Sequence, residues 1–588
     1  CLFLLQSLEE RGRETYIWIA EHHKGSLFKK FRDFFEHSGF SKGFNARLLS
    51  TENEISGREW DYIILDRYRT PPEEFGYWSG VGPVIGIDEG GVCRSRFDFL
   101  IDLLPSGAQP EPNLNAPGLL PLPQNRKPKG EKSSAETSLP LRVLICFGAE
   151  DSAGLGVASA RSLARNRSIK NPEITLIAPA DSNKQILGVR VLGMVPNLKE
   201  RLAEYDLFIT HFGLGAFEAV YARVPVLLVS PTAYHEKLSR NAGFASLGTR
   251  AAGRLEDINI GSAFIKNLGL RSEKIARRYG LDGDQKEDMG SYFGSIAPHS
   301  QRACPVCSSN RTHIIGRFPE ETYRRCKHCG MIYLSRLRLP PIEYEKDYFF
   351  DFYKKQYGKT YIEDFPNLVE MGRKRLVHIR ALCGAESGAD LPGPAPRLLD
   401  IGCAYGPFLA AAAERGFSPS GVDPVEDAVE YINEKLGFPA WQGFFPTSKK
   451  AEDGPFDVVT LWYVIEHFEE PGKVLPEIHR ILRKRGVLAF STPSSSGISG
   501  RKDRKSFLKN SPPDHWTVWS PRICGRVLKR YGFSLRKIVV TGHHPERFPF
   551  FGRFVKATKK DFFWRLLFFV SRVFRLGDTF EVYAVKES

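Results

Sequence analysis

The stretch RLLDIGCAYGPFLAAAAERGF, Arg397 to Phe417, constrains the fold more than any other part of the chain. Apolar residues lead into Asp400, glycines follow at 402 and 406, and a run with helical spacing begins. That order predicts a buried strand, a tight turn and a helix, the repeating unit of parallel α/β sheets. Similar alternations recur on both sides of a polar linker at 281–303. A second linker, rich in proline, covers 105–140, and a shorter break lies at 384–396. At roughly 150 residues per domain, 588 residues hold three to four units, so the expected class is α/β multidomain.

The turn itself discriminates between ligands. The dinucleotide fingerprint G-x-G-x-x-G places its pyrophosphate on a helix N-terminus. Here Ala404 stands between Gly402 and Gly406, and the carboxylate of Asp400 would repel a pyrophosphate. The same carboxylate attracts an ammonium, and S-adenosylmethionine (SAM) carries one without any phosphate. Asp423 ends a short strand about 20 residues further on, where an acid accepts hydrogen bonds from ribose hydroxyls. FDVVTLW (456–462) reads as a buried strand with Tyr463, Glu466 and His467 just past it; ILRKRGVLAFSTP (481–493) reads as a helix end, a Gly turn and another strand.

These motifs, in this order, resemble the class I SAM-dependent methyltransferases. They are most similar to the branch containing ubiquinone-type O-methyltransferases and methyltransferases of sugar and polysaccharide clusters. The resemblance covers 397–588. It implies a Rossmann-like seven-stranded sheet and a SAM site made by Asp400, Gly402, Ala404, Gly406 and Asp423. The acid that often follows strand three in the family, meeting the adenine, is not evident in WQGFFPTS (441–448). A Rossmann-like domain without SAM is the bland alternative.

Ten cysteines are present, and four form CxxC pairs: Cys304/Cys307 and Cys326/Cys329. Their spacing matches a zinc ribbon, in which two knuckles close a tetrahedron and leave no catalytic position. The other six are scattered, which is no disulfide framework and fits a reduced compartment. His328 is expected to be exposed rather than ligating. The ribbon is placed at 304–340 and a helical connector at 341–396. With the Tyr-rich run 344–361, this part resembles the amino-terminal part of sugar methyltransferases.

Methyl transfer aligns a nucleophile within ~3–3.5 Å of the sulfonium carbon, and an oxygen nucleophile also needs a base. The candidates are Tyr463, Glu466, His467, Asp514 and His515. His515, in PPDHWTVWSP (512–521), suits general-base work near neutrality; packing of the site is the plain alternative for both histidines.

The first half divides into an N-lobe (1–104) and a C-lobe (141–280). In the C-lobe, HFGLGAFE (211–218) reads as a strand end, a Gly turn and a helix start, an arrangement that suits a diphosphate. A plain αβ turn is the alternative. This half resembles two-lobed GT-B nucleotide-sugar enzymes of the pseudaminic-acid nucleotide-sugar hydrolase and spore-coat polysaccharide type. The resemblance implies nucleotide binding by Gly213, Gly215 and Glu218, the last through ribose. The family's Gly-x-Gly-His-x-x-Arg loop does not precede the first helix, and His235 stands where Gln is frequent. The expectation is a missing start or a lobe that binds without catalysing.

The formal charge of +15 points to an anionic partner or a solvated basic face. Its late concentrations are RKDRKSFLK (501–509) and Arg553 to Arg575. The first is read as a solvated face. The second is read as a helix over the sheet or cleft, with peripheral contact with an anionic membrane surface as the alternative. No apolar run reaches the ~20 residues that span a bilayer, so a cytoplasmic location is expected. Nucleic acid is not an expected partner, and the sequence leaves the oligomeric state open. The combined expectation is a SAM-dependent methyltransferase with zinc, acting on a sugar, nucleotide-sugar or glycan intermediate of cell-surface polysaccharide. The alternatives are a small-molecule O- or N-methyltransferase with a non-catalytic N-terminal module, and a scaffold protein with a vestigial cofactor pocket.

Overall fold

The structure is a computed structural model that describes residues 4, 8, 11–18, 47–49, 55, 58–128, 140–148, 151–178, 185–339, 353–354, 358–384, 394–447, 454–550 and 562–587. Most of the Tyr-rich run and part of the basic segment after Arg553 lie outside these residues. The chain divides into two compact units, Cys1–Pro298 and His299–Ser588. No helix among the described residues is long and apolar enough to cross a membrane.

The first unit contains parallel sheets. β1 (Tyr16–Trp18) pairs with β2 (Arg47–Leu49). β3 (Ile63–Asp66), β4 (Val84–Ile87), β5 (Phe99–Asp102) and β6 (Leu114–Asn115) form a four-stranded sheet in chain order. A six-stranded parallel sheet follows, built from β7 (Arg142–Cys146), β8 (Glu173–Ile177), β9 (Val189–Leu192), β10 (Leu207–Thr210), β11 (Val226–Ser230) and β12 (Ala245–Thr249). Its order is β12-β11-β10-β7-β8-β9. Strands such as β10 and β11 are buried at every position, as helix-covered parallel strands must be. Beneath the four-stranded sheet, Arg94 is sealed in the core by a bidentate pair with Asp102 at 2.9–3.0 Å.

In the second unit, β13 (Thr312–Phe318), β14 (Glu321–Cys326) and β15 (Ile332–Arg336) form an antiparallel meander. β16 (Arg397–Ile401), β17 (Ser418–Asp423), β18 (Ala440–Gln442), β19 (Phe456–Trp462) and β20 (Leu482–Pro493) run parallel. β21 (Thr517–Val518) joins the meander beside β15. β22 (Phe533–Thr541) and β23 (Thr579–Lys586) complete a seven-stranded sheet of order β18-β17-β16-β19-β20-β23-β22, in which β23 alone is antiparallel to its neighbours. The order reverses between β16 and β19, and the carboxyl ends of these strands frame the crevice where open α/β sheets take ligands.

Several boundaries differ from the sequence reading. β6 and the buried Leu119, Leu120 and Leu122 fall within the expected linker 105–140, and the helix Met289–Ser295 falls within the expected linker 281–303, because apolar residues among the prolines and polar residues of both stretches are drawn into packing. The helix Phe365–Leu382, expected as a connector, buries Leu376 and Ile379 with Leu398, Leu409 and Val458, so the core starts well before residue 397. The cysteine meander shares a core with the large sheet as well, Met331 and Tyr333 packing in one cluster with Phe490 and Trp519. Apolar burial at roughly 25 cal/mol per Å² makes each of these contacts part of the sheet's own stability. The turn expected at Gly486 falls instead at Arg485, with φ 62°, inside β20.

Candidate functional site

The crevice begins at Asp400. Its carboxylate is buried and accepts a 2.6 Å hydrogen bond from Thr460 Oγ1 on the neighbouring strand β19. Burial pushes its pKa up to about 8. Gly402 follows in the left-handed region at φ 70°, and a Cβ there would stand 2.4 Å from Val464 Cγ2. Gly406, φ 77°, is closed against Ile432 and Leu436 in the same way. Both glycines are therefore demanded by the turn. Ala404, also at positive φ, donates its N–H to Asp423 Oδ2 at 2.8 Å, and Val425 N–H donates to Oδ1 at 3.0 Å. Asp423 thus ties the turn to β17 and keeps further lone pairs on its carboxylate. Burial raises it to about 6.

Two buried carboxylates at adjacent strand ends beside bare backbone match a ligand that brings a cation and hydroxyl donors. The residues fit SAM in that sense. Asp400 could serve as the anion for its ammonium, Asp423 as the acceptor for its ribose, and Gly402 and Ala404 as the close backbone. Tyr361 and Tyr405, which sequence reasoning did not single out, meet at a tilt of 41° with ring centroids 6.1 Å apart. Burial pushes the Tyr361 phenol up, and the charges of Tyr353, Asp400 and Asp423 add to the rise. Tyr361 belongs to the Tyr-rich run, but nothing local in that run points to this crevice.

Next to it, the end of β19 carries the reactive groups. Tyr463 has φ 60°, a strained setting for a bulky residue. Its N–H is held by the Ser491 carbonyl at 3.0 Å. Glu466 is 1% exposed, and its carboxylate lies beside His467 and Thr492. Burial pushes its pKa up to about 7. His467 Nδ1 stands 2.9 Å from Asp514 Oδ2, and its ring meets the edge of His515 at a centroid distance of 4.8 Å. Burial works against a charge on His467, but the Asp514 and Glu466 carboxylates prevail and raise it. Asp514 is lowered because His467 outweighs burial. His515 is pushed down to about 3 by burial and by His467, so it is neutral. The structure therefore brings Tyr463, Glu466, His467 and His515 to one strand end. Of these groups, Glu466 has its pKa near neutrality, the range suited to a general base, and His515 lies well below it. Ligand-type atoms of Glu466, His467 and His515 lie within 4.8 Å of one another, a group able to share a proton or hold a divalent cation.

The segment bearing Asp514 and His515 is held by the cysteine meander. β15 pairs with β21, Leu334 N–H donates to the Trp516 carbonyl, and the Arg336 guanidinium donates to the Pro513 carbonyl. At the other end of that meander the four cysteine sulfurs converge. Cys304 and Cys329 are 3.5 Å apart, Cys307 and Cys326 3.6 Å, and all four lie within 4.8 Å. These distances are too long for disulfides. Tetrahedral zinc with bonds of about 2.3 Å has S···S edges of about 3.8 Å, so the four thiols fit such an ion. His328 is exposed, outside the cluster.

In the first unit, Gly213 and Gly215 flank the start of the helix Leu214–Tyr221, and half-buried Glu218 lies one turn in. Gly213 is extended at φ 168°, and a Cβ on Gly215 would make ordinary contact with Phe208 at 3.5 Å. The chain bends at 212–213 from β10 into the helix without a left-handed glycine, and the fold does not itself demand either glycine. Burial raises the Glu218 carboxyl. The His211 and His235 rings meet edge to face at 5.9 Å beside this turn.

Comparison with known proteins places the second unit. A family profile described as a methyltransferase domain matches residues 371–538. The ubiquinone biosynthesis O-methyltransferase of Pseudomonas aeruginosa strain LESB58 is 34% identical over 160 residues, spanning 25% of this chain and 69% of that protein. The enzyme of the same name from Caulobacter sp. strain K31 is 32% identical over 127 residues, 20% of this chain and 50% of that protein. Among solved structures, a SAM-dependent methyltransferase from Archaeoglobus fulgidus aligns with 40% of this chain and 99% of its own, at 15% identity and a TM-score of 0.28.

Proposed function

The chain belongs to the SAM-dependent methyltransferases, the family of its ubiquinone biosynthesis O-methyltransferase relatives, and on that premise we propose that it methylates a hydroxyl on a sugar or glycan intermediate of cell-surface polysaccharide. The observation that carries the O-methylation is Glu466, a carboxylate buried beside His467 at the end of β19 and raised toward neutrality by that burial. An alcohol must lose its proton as it attacks the sulfonium methyl. Glu466 accepts that proton, His467 is fixed by Asp514, and neutral His515 orients the acceptor by hydrogen bonding. SAM supplies the methyl group as an electrophile when bound.

The sugar assignment is supported by the paired architecture. A parallel α/β unit with glycines that its own packing does not require is suited to a nucleotide diphosphate at Gly213, Gly215 and Glu218. In this reading zinc at Cys304, Cys307, Cys326 and Cys329 is structural and holds the meander that carries His515. The reaction is expected in the cytoplasm, where SAM and nucleotide sugars are made.

A second reading has a specific observation in its favour, because the curated relatives at 34% identity are O-methyltransferases of ubiquinone biosynthesis. In it the acceptor is a small phenol and the first unit takes no part. Full-length protein given methyl-labelled SAM and two acceptor panels, nucleotide sugars and catechol-type quinols, separates the two. Label on a sugar supports the proposal; label on a quinol with none on any sugar rejects it.

A further inference from the structure

Just past β20 the chain turns through Ser494–Gly500 and builds a cavity of about 500 Å³ lined by Ser495, Ser496, Gly500, Arg501, Arg504 and Arg522. Its walls are fixed. Ser495 N–H and Oγ both donate to the Trp519 carbonyl, at 2.9 and 3.0 Å. Ser499 donates to buried Asp578 through N–H and Oγ, at 2.9 and 2.6 Å. A Cβ on Gly497 would stand 2.4 Å from Asp578 Oδ1, and one on Gly500 2.5 Å from the Ser495 carbonyl. Arg501 is aimed by a 2.7 Å hydrogen bond from Nε to the Ser496 carbonyl.

The charge is one-sided. Among the described residues, no acid forms an ion pair with Arg501, Arg504 or Arg522. Two carboxylates carried by or bonded to this turn and the helix after it are occupied. Asp503 accepts the Ser506 N–H at 2.9 Å, and Asp578 is paired with Arg547 at 2.8 Å. Three guanidinium groups converging on one concavity, with serine hydroxyls at its floor, repel one another unless an anion lies among them. Their planar forks match phosphate oxygens. The volume is that of an ordinary small-molecule site.

The place matters as much as the charge. The cavity opens from the carboxyl end of β20, the sheet edge that also carries Tyr463 and Glu466. Arg522 lies on the segment that begins with Asp514 and His515. We propose that this cavity is an oxyanion site that holds a phosphate or diphosphate group of the methyl acceptor while its hydroxyl reaches Glu466. The proposal rests on the methyltransferase reading, and it narrows the acceptor to a phosphorylated molecule.

The test uses the full chain and the double variant R504A/R522A, both substitutions at exposed positions. Inorganic pyrophosphate is titrated calorimetrically into each, with SAM titrated separately. The proposal expects pyrophosphate to bind at least tenfold more weakly to the variant while the SAM Kd stays within twofold. Equal pyrophosphate affinity in the two proteins, or none in the wild type, overturns it. Absence of SAM binding to the wild type instead strikes the methyltransferase reading and leaves the pyrophosphate result to stand by itself. Vesicles of phosphatidylcholine with phosphatidylglycerol identify the source of the phosphate. Arginine-dependent vesicle binding displaced by pyrophosphate places the group on a lipid, and vesicle binding unaffected by the variant or by pyrophosphate counts against a discrete site. No vesicle binding, with tenfold weaker pyrophosphate in the variant, places it on a soluble acceptor.

Discussion

The Leu334 N–H donates to the carbonyl of Trp516 at 3.0 Å, so the cysteine meander and the residue after His515 share one antiparallel ladder. Residues 182 positions apart in the chain are coupled by this bond and its neighbours in β15 and β21. The four-sulfur cluster sets the position of β14 and β15, and through them the loop that offers Asp514 to His467.

Breaking the cluster is therefore expected to damage catalysis before it damages the donor site. Cys326→Ser should lower bound zinc from about one equivalent to well below one and lower Tm, with kcat falling at least about tenfold. The SAM Kd should move less than threefold, since Asp400 and Asp423 sit on other elements. Metal analysis, calorimetric melting and steady-state kinetics check the three parts, and unchanged kcat in metal-free protein would contradict the coupling.

Glu466 gives a prediction in two independent readouts. Glu466→Gln keeps the shape and removes the proton acceptor, so kcat should fall about 10²-fold or more with little change in the SAM Kd. The stability signature runs the other way. The folded pKa, about 7, lies above the ordinary carboxyl value. The wild-type contribution is then fully present below the unfolded pKa and lost as pH rises through 7. The variant has no such loss. Its Tm relative to wild type should be more favourable at pH 8 than at pH 5, and a constant difference across that range would show that Glu466 is not buried as described.

The parts of this site that could be read from the sequence are those whose chemistry is local. Asp400, Gly402 and Gly406 lie within seven positions, and strand, turn and helix follow from their order. The cysteine pairs were equally plain. Thr460, which clamps Asp400, lies 60 positions away, and a threonine in an apolar strand carries no signal of its own. The opposite pKa shifts of His515 and Glu466 were hidden because they depend on burial. The charge run 501–509 was visible but read as a solvated face; only the fold brings Arg522 to the same cavity. The glycine pattern at 213–215 was visible too, but only the fold shows that the chain enters the helix there without a left-handed backbone.

Gly402 tests how tightly the turn is built. At φ 70° a Cβ is disfavoured by itself, and here it would also meet Val464 Cγ2 at 2.4 Å. Gly402→Ala should cost on the order of 1–3 kcal/mol of stability and displace Val464, which follows the strained Tyr463. The expected readouts are a lower urea midpoint and a SAM Kd at least tenfold higher. An alanine variant that binds SAM normally would show that this turn does not approach the donor.

Asp400 makes the strongest claim about charge. Burial holds its pKa at about 8 in the free protein, so at pH 7 the carboxyl is largely protonated. A donor ammonium placed beside it favours the carboxylate, and binding must then expel the proton. SAM titrated at pH 7 in buffers of different ionisation enthalpy should give a binding enthalpy that varies with the buffer, with a slope approaching one proton released. The slope should fall and then change sign as pH rises past about 8, where Asp400 is already ionised and the donor's own amino group must gain a proton to bind as the ammonium. Asp400→Asn should abolish it at pH 7 and weaken SAM by at least about tenfold. A wild-type slope of zero at pH 7 would mean that no cation meets this carboxyl, and the electrostatic basis of the donor site would be lost with it.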